Sequence, residues 1–234
     1  MNIKNEIPKI WFFDMEGTIL QKNYALDNGK VAPSAWTVLA KMLGEECYLE
    51  EEKTKDKWLN GEYNGYLDWM KDTVLIHKKY GLTELQLKKL VDSSKFIDGC
   101  EDLFKWLKHH NAITVLITGG FKELADKVQR SLKIDHALSG CEYFFDEHGN
   151  LEFYNLLPSD NEGKLSFMQQ VLYEHGLTKA DSVFIGDGKN DIYLAKEAGI
   201  SIAFNAQSEL KEITNFNVEQ QQGREDLSAI ISIF

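Results

Sequence analysis

Proline is scarce in this chain, 3 in 234 residues, and so is cysteine, also 3. With only 17 glycines as well, collagen-like and low-complexity classes are excluded. Cys47, Cys100 and Cys141 are far apart, odd in number and without a CxxC pair. They read as small buried or free thiols in a reducing compartment, not as a disulfide framework. Long apolar runs are missing: nothing approaches the ~18 residues of a membrane span. Lys4 and Lys9 precede the apolar stretch Ile10–Phe13, but Asp14 cuts it too short for a signal-peptide core. Positive charge is the last shortage, with 26 basic against 37 acidic residues and a net charge of -11. No basic stripe is present to track a phosphate backbone or an anionic membrane. The expectation is a cytoplasmic protein with a small-molecule partner, no nucleic acid and no membrane. The sequence does not set an oligomeric state.

What is present suits a packed core: 43% of residues are hydrophobic and 27% charged. At ~150 residues per domain, the length allows one domain with a smaller insertion. Lys9–Asp14, Ala112–Thr118, Ser182–Gly186 and Ser201–Phe204 are short apolar runs, apolar on both faces, and read as buried strands. Between them lie helical patterns: Leu124, Val128 and Leu132; Leu165, Met168 and Leu172 up to Gly176; Ile192 and Ala195 up to Gly199. Asp98 and Glu101 have capping-box spacing ahead of Leu103 and Leu107. Glu142–Phe153, centred on Glu147-His-Gly-Asn150, reads as a β-hairpin. Alternating strands and helices imply an α/β fold with a parallel sheet flanked by helices.

Residues 21–95 contain no buried-strand run. Pro33 is expected in the first turn of a helix carrying Ala35, Val38, Leu39, Met42 and Leu43. Glu50–Lys57 reads as a solvated helix face, Leu67, Met70 and Val74 as another apolar stripe, and Thr83 with Gln86 as a capping box. The expected organisation is a core of residues 1–20 and 96–234, interrupted by an all-helical insertion over 21–95.

Four groups fall at expected strand ends, where open parallel sheets place their ligands. Asp14-Met-Glu-Gly-Thr18 puts two carboxylates at a strand-to-turn transition, one able to attack and one to move a proton. Thr118-Gly-Gly120 offers a hydroxyl and two backbone N–H groups to an anion, at what is expected to be a helix N-terminus. Gly163-Lys164 opens a helix. Gly186-Asp-Gly-Lys-Asn-Asp191 begins like a dinucleotide loop, but Asp187 and Asp191 would repel a pyrophosphate and instead suit a hard cation such as Mg²⁺.

In order and context, this set resembles the haloacid dehalogenase (HAD) superfamily of phosphoryl-transfer enzymes. The segments Ile97-Asp-Gly-Cys100, Thr118-Gly-Gly-Phe121 and Gly186–Asp191 are similar to its phosphoserine phosphatase branch, which has a Rossmann-like core and a small helical cap. The resemblance covers roughly 9–20 and 96–206, and is weak in the cap and the tail. It implies a Mg²⁺-dependent phosphatase with Asp14 as nucleophile and Glu16 as acid and base. Asp14, the Glu16 backbone carbonyl and Asp187 would ligate Mg²⁺. Asn190 and Asp191 would orient the phosphate and the metal's waters. Thr118, Gly119 and Gly120 would hold phosphate oxygens, and Lys164 would neutralise charge.

Most of that family has Asp where this chain has Glu16, a substitution also found in members that transfer phosphoryl to an alcohol. Phosphotransfer is therefore the runner-up, and a receiver-like phospho-Asp binding module the alternative of another class. The family's ammonium-binding Glu aligns with Asn23, and residues 21–95 contain no Arg for a carboxylate. An ungapped match places Asp72 near that Arg position. Phosphoserine is therefore expected to be a poor substrate, with Tyr66, Trp69 or Met70 touching another leaving group. The aromatics Trp36, Trp58, Tyr63, Tyr66 and Trp69 equally suit the insertion's own core.

Overall fold

The computed structural model describes residues 6–234, so Lys4 lies outside the described residues. Seven strands form one sheet in the order β4-β3-β2-β1-β5-β6-β7. They are β1 (Ile10–Phe13), β2 (Ile113–Phe121), β3 (His136–Phe145), β4 (Leu151–Leu156), β5 (Ser182–Gly186), β6 (Ile200–Phe204) and β7 (Phe216–Val218). All neighbours pair in parallel except β4, which returns antiparallel on β3 through the expected hairpin. β1 sits centrally and is fully buried because consecutive residues serve opposite faces. Trp11 and Phe13 pack with Leu116 and Ile185 on one side, and Ile10 and Phe12 with Val115 and Phe184 on the other. Each such side chain contributes ~1.5–3 kcal/mol of burial.

The helices α5 (Cys100–His109) and α6 (Lys122–Leu132) cover the Trp11 face, through Leu103, Leu107, Leu124 and Val128. The other face is covered by α7 (Glu162–Glu174), α8 (Ile192–Glu197) and α9 (Ser208–Lys211), through Met168, Leu172, Leu194 and Leu210. The chain order reverses at β1, with β2 on one side and β5 on the other. That reversal opens a crevice at the carboxyl ends of these strands.

Between β1 and β2 run four helices: α1 (Ala35–Leu43), α2 (Glu45–Leu59), α3 (Tyr66–Lys79) and α4 (Glu84–Ser93). The Thr83–Gln86 capping box forms as expected. Three local expectations need correction. Helix α5 is not capped by Asp98: its N-cap is Gly99 at φ 73°, a left-handed conformation, and Asp98 pairs instead with Asp226 near the C-terminus. Pro33 lies ahead of α1, whose first N–H, on Ala35, donates to the Glu16 carboxylate. The Glu50–Lys57 run is not wholly solvated. Glu51 is buried, with His77 Nε2 at 3.2 Å, while His77 Nδ1 meets the Tyr143 hydroxyl at 2.9 Å. All three cysteines are buried and free, and burial raises the Cys47 and Cys100 thiols to about 12. Among the described residues no helix is long and apolar enough to cross a membrane.

Candidate active site

The loop after β1 is fixed by backbone. The Asp14 N–H donates to the Ile185 carbonyl at 3.0 Å, which ties the end of β1 to β5. Gly17 then turns at φ +86°, and a Cβ there would lie 2.2 Å from Asp187 Oδ2. Only glycine allows both the turn and the approach of the two loops.

Asp14, Asp187 and Asp191 each bring a carboxylate oxygen within 4.8 Å of the others. Lys164 rises from the first turn of α7, fully buried, and donates to Asp14 Oδ1 at 2.6 Å and Asp191 Oδ1 at 2.7 Å. Burial alone would lower its pKa, but Asp14, Asp191 and Asp160 hold it well above the ordinary lysine value. Asp191 is pushed up by burial and drawn back by Lys164. Lys22 adds a second ammonium, donating to Asp187 Oδ2 at 2.6 Å, but two ammoniums do not neutralise three clustered carboxylates with Glu16 beside them, and buried charge is costly without compensation. An all-oxygen anionic set of this kind fits a hard divalent cation such as Mg²⁺.

Glu16 stands beside this set, with Oε1 accepting the Ala35 N–H at 2.5 Å. Burial raises its carboxyl to about 7, against the opposing pull of Lys22 and of that N–H. A carboxyl near 7 can both donate and accept a proton at neutral pH.

Above these groups opens a cavity of 260 Å³. Asp14, Glu16, Asp187, Asn190 and Thr118–Gly120 line it from the strand ends; Trp36, Tyr66, Trp69 and Met70 line it from α1 and α3. Thr118, Gly119 and Gly120 belong to the end of β2, where a register shift breaks the ladder. The expected turn at a helix N-terminus is thus a bulged strand end, and α6 begins only at Lys122. The Gly119 carbonyl accepts the Trp36 Nε1–H at 3.2 Å and the Tyr66 hydroxyl at 3.4 Å.

The structure thus brings most of the anticipated residues to one place, with exceptions. Lys164 and Asp191 lie beneath the cavity and do not line it. Asn23 borders neighbouring cavities, and Asp72 accepts the Tyr63 hydroxyl at 2.9 Å, away from this cavity. Aromatic core and aromatic pocket both hold: Trp58 stacks on Trp69 at 5.1 Å, and Trp69 still borders the cavity. Two charged lining residues escaped the sequence reading. Asp160 accepts from Asn190 Nδ2 at 2.7 Å, and Lys22 donates to Asp187 Oδ2 at 2.6 Å. Their only signals were an acid four residues before Lys164 and a lone lysine after the Asp14 loop.

A family model for haloacid dehalogenase-like hydrolases matches residues 8–199. The phosphoserine phosphatase of Methanocaldococcus jannaschii is 30% identical over 154 residues, covering 64% of this chain and 72% of that protein. The phosphoserine phosphatase of Archaeoglobus fulgidus is 23% identical over 217 residues, 93% of this chain, which spans 58% of that protein. A solved structure described as a phospho-aspartyl intermediate analogue of phosphoserine phosphatase superposes with a TM-score of 0.74. It has 23% identity and covers 97% of this chain and 98% of its own, a likeness of fold.

Proposed function

The chain belongs to the haloacid dehalogenase-like hydrolases and is a phosphatase, and on that premise we propose that it cleaves a small phosphomonoester by way of a phospho-aspartate on Asp14. The observation that carries this reading is the Lys164 ammonium, 2.6 Å from Asp14 Oδ1 beneath a cavity that Glu16 also lines. A carboxylate and a phosphate dianion repel each other, so the attack needs fixed positive charge at that oxygen.

In the first step Asp14 forms a bond to phosphorus, the ester P–O bond breaks, and Glu16 gives its proton to the departing alkoxide. In the second, water attacks the same phosphorus, Glu16 takes its proton, and the Asp14–phosphorus bond breaks. Two moderate barriers replace one high one. Thr118 and the backbone of Gly119 and Gly120 border the phosphoryl position, and Asn190, steadied by Asp160, orients it. Phosphatases of this family use Mg²⁺, and Asp14, Asp187 and the Glu16 carbonyl would hold it, with Asp191 beside them. Bound there, it would neutralise charge on the transferring group.

The relatives' shared name makes phosphoserine the first compound to test. We rank it below less zwitterionic esters, because residues 21–95 offer its carboxylate no planar arginine grip, only the single ammonium of Lys22, which the ammonium of phosphoserine would repel. The name gives that ranking no support, and Asn23 and Asp72 no longer argue for it. The test is a Mg²⁺-containing panel of phosphorylated metabolites with rapid-quench trapping of phosphate on the chain. Trapped label in wild type and none in Asp14→Asn supports the nucleophile; near-normal phosphate release by Asp14→Asn overturns it. Phosphoserine at the top of the panel, near ~10⁴ M⁻¹s⁻¹ in kcat/KM, reverses the ranking. Adding alcohol acceptors separates hydrolysis from phosphotransfer.

A further inference from the structure

We propose that Lys22 determines substrate specificity by gripping a second anionic group, a carboxylate or phosphate, on the leaving-alcohol side of the substrate. The inference rests on the phosphatase reading and adds the chemical class of its substrate.

Among the described residues, Lys22 is the only lysine or arginine lining the catalytic cavity. Its side chain is 28% exposed, and its ammonium donates to Asp187 Oδ2 at 2.6 Å. Lys164 is already committed to Asp14 and Asp191, which leaves Asp187 to Lys22. A divalent cation on the aspartates would compete for the Asp187 carboxylate, and two positive charges do not share one carboxylate oxygen comfortably. The lysine stem has four rotatable carbons, so the ammonium can turn away while its root stays beside Glu16.

Glu16 marks where the leaving oxygen departs. Lys22 lines the same cavity as Glu16 and as the aromatic wall of Trp36, Tyr66 and Trp69. No cation comes from that wall; Lys71, on the same helix as Trp69, is exposed and outside the cavity. A leaving group with an apolar body and a terminal anion matches this surface: body on the indoles, anion on the ammonium. The cavity's 260 Å³ confines it to a small molecule.

The test uses phosphonates, which keep the phosphoryl group but cannot be cleaved, so it reads binding rather than turnover. Propylphosphonate, 2-carboxyethylphosphonate and propane-1,3-bisphosphonate are titrated by calorimetry, with Mg²⁺ present, into wild type, Lys22→Met and Lys22→Arg. The expected result is that wild type prefers one of the ligands with a second anionic group over propylphosphonate by ~10–100-fold, the size of one charge-assisted hydrogen bond. Lys22→Met should erase that preference and Lys22→Arg retain part of it. The ligand preferred tells carboxylate from phosphate. Equal affinities in wild type for phosphonates with and without the second anionic group, or a preference that survives Lys22→Met, would overturn the proposal. Failure of the phosphatase reading would show separately, as absent phosphate release or as label trapped in Asp14→Asn.

Discussion

Asp14 and Asp187 follow central strands, and β1 and β5 are each paired on both sides within the sheet. Trp36, Tyr66 and Trp69 reach the same cavity from α1 and α3, which meet the sheet through side chains and a few loop contacts. Trp36 packs on Phe121 at 4.3 Å, the Glu84 N–H reaches the Gly149 carbonyl at 2.9 Å, and Lys127 Nζ reaches the Val91 carbonyl at 2.7 Å. The strand ends supply charge held by backbone geometry; the helical segment supplies shape held by packing. Substitutions among the strand-end carboxylates should therefore remove chemistry, and substitutions in the helices should change selectivity or stability.

Asp14→Asn tests the first half most severely. Turnover should fall by at least ~10⁴-fold, as when a covalent nucleophile is lost, with the circular dichroism spectrum intact. Glu16→Gln should come next, slowing phosphorylation by alkyl phosphates ~10²–10⁴-fold and by aryl phosphates much less, read from the pre-steady-state burst. The donating, protonated form of Glu16 is populated below its raised value of about 7 and lost above it. Wild-type kcat/KM for alkyl esters should thus decline as pH rises through that region, and the decline should be absent in Glu16→Gln.

His77→Leu would sharpen the other half. It strips Glu51 and Tyr143 of a shared buried partner, so denaturant unfolding should report a loss of ~3 kcal/mol. Its phosphate release at saturating substrate should change little. A catalytic collapse in folded His77→Leu would break the division between the two regions. Tyr66→Phe should be mildest. Its hydroxyl contact with Gly119 is long, at 3.4 Å, so KM should move by less than ~3-fold.

The same division explains what could be read from sequence. Strand-end motifs were legible because a both-faces-apolar run such as Ile10–Phe13 can hardly be anything but a buried strand, and the residue after it must sit at its end. The helical segment showed its periodicity but not its docking. Glu51 looked like one acid in a charged run, because nothing local reveals a partner such as His77, 26 positions away. Asn23 and Asp72 were placed by alignment with the family, and linear alignment carries no information about which cavity a side chain borders. Lys22 was invisible for the opposite reason: a single lysine is normally solvated, and only the fold puts Asp187 beside it.

The Ala35 N–H that donates to Glu16 favours the ionised carboxyl, and linkage makes the preference mutual. Ionised Glu16 holds the first turn of α1 against the strand ends more firmly than protonated Glu16 does. Over the proposed cycle this carboxyl is without its donated proton between departure of the alcohol and attack by water. Within that cycle the hydrogen bond to α1 is strongest while the phospho-aspartate waits, and weaker once Glu16 regains a proton. Proton count at Glu16 and the hold on the first turn of α1 are thus tied together through one hydrogen bond at the start of a helix.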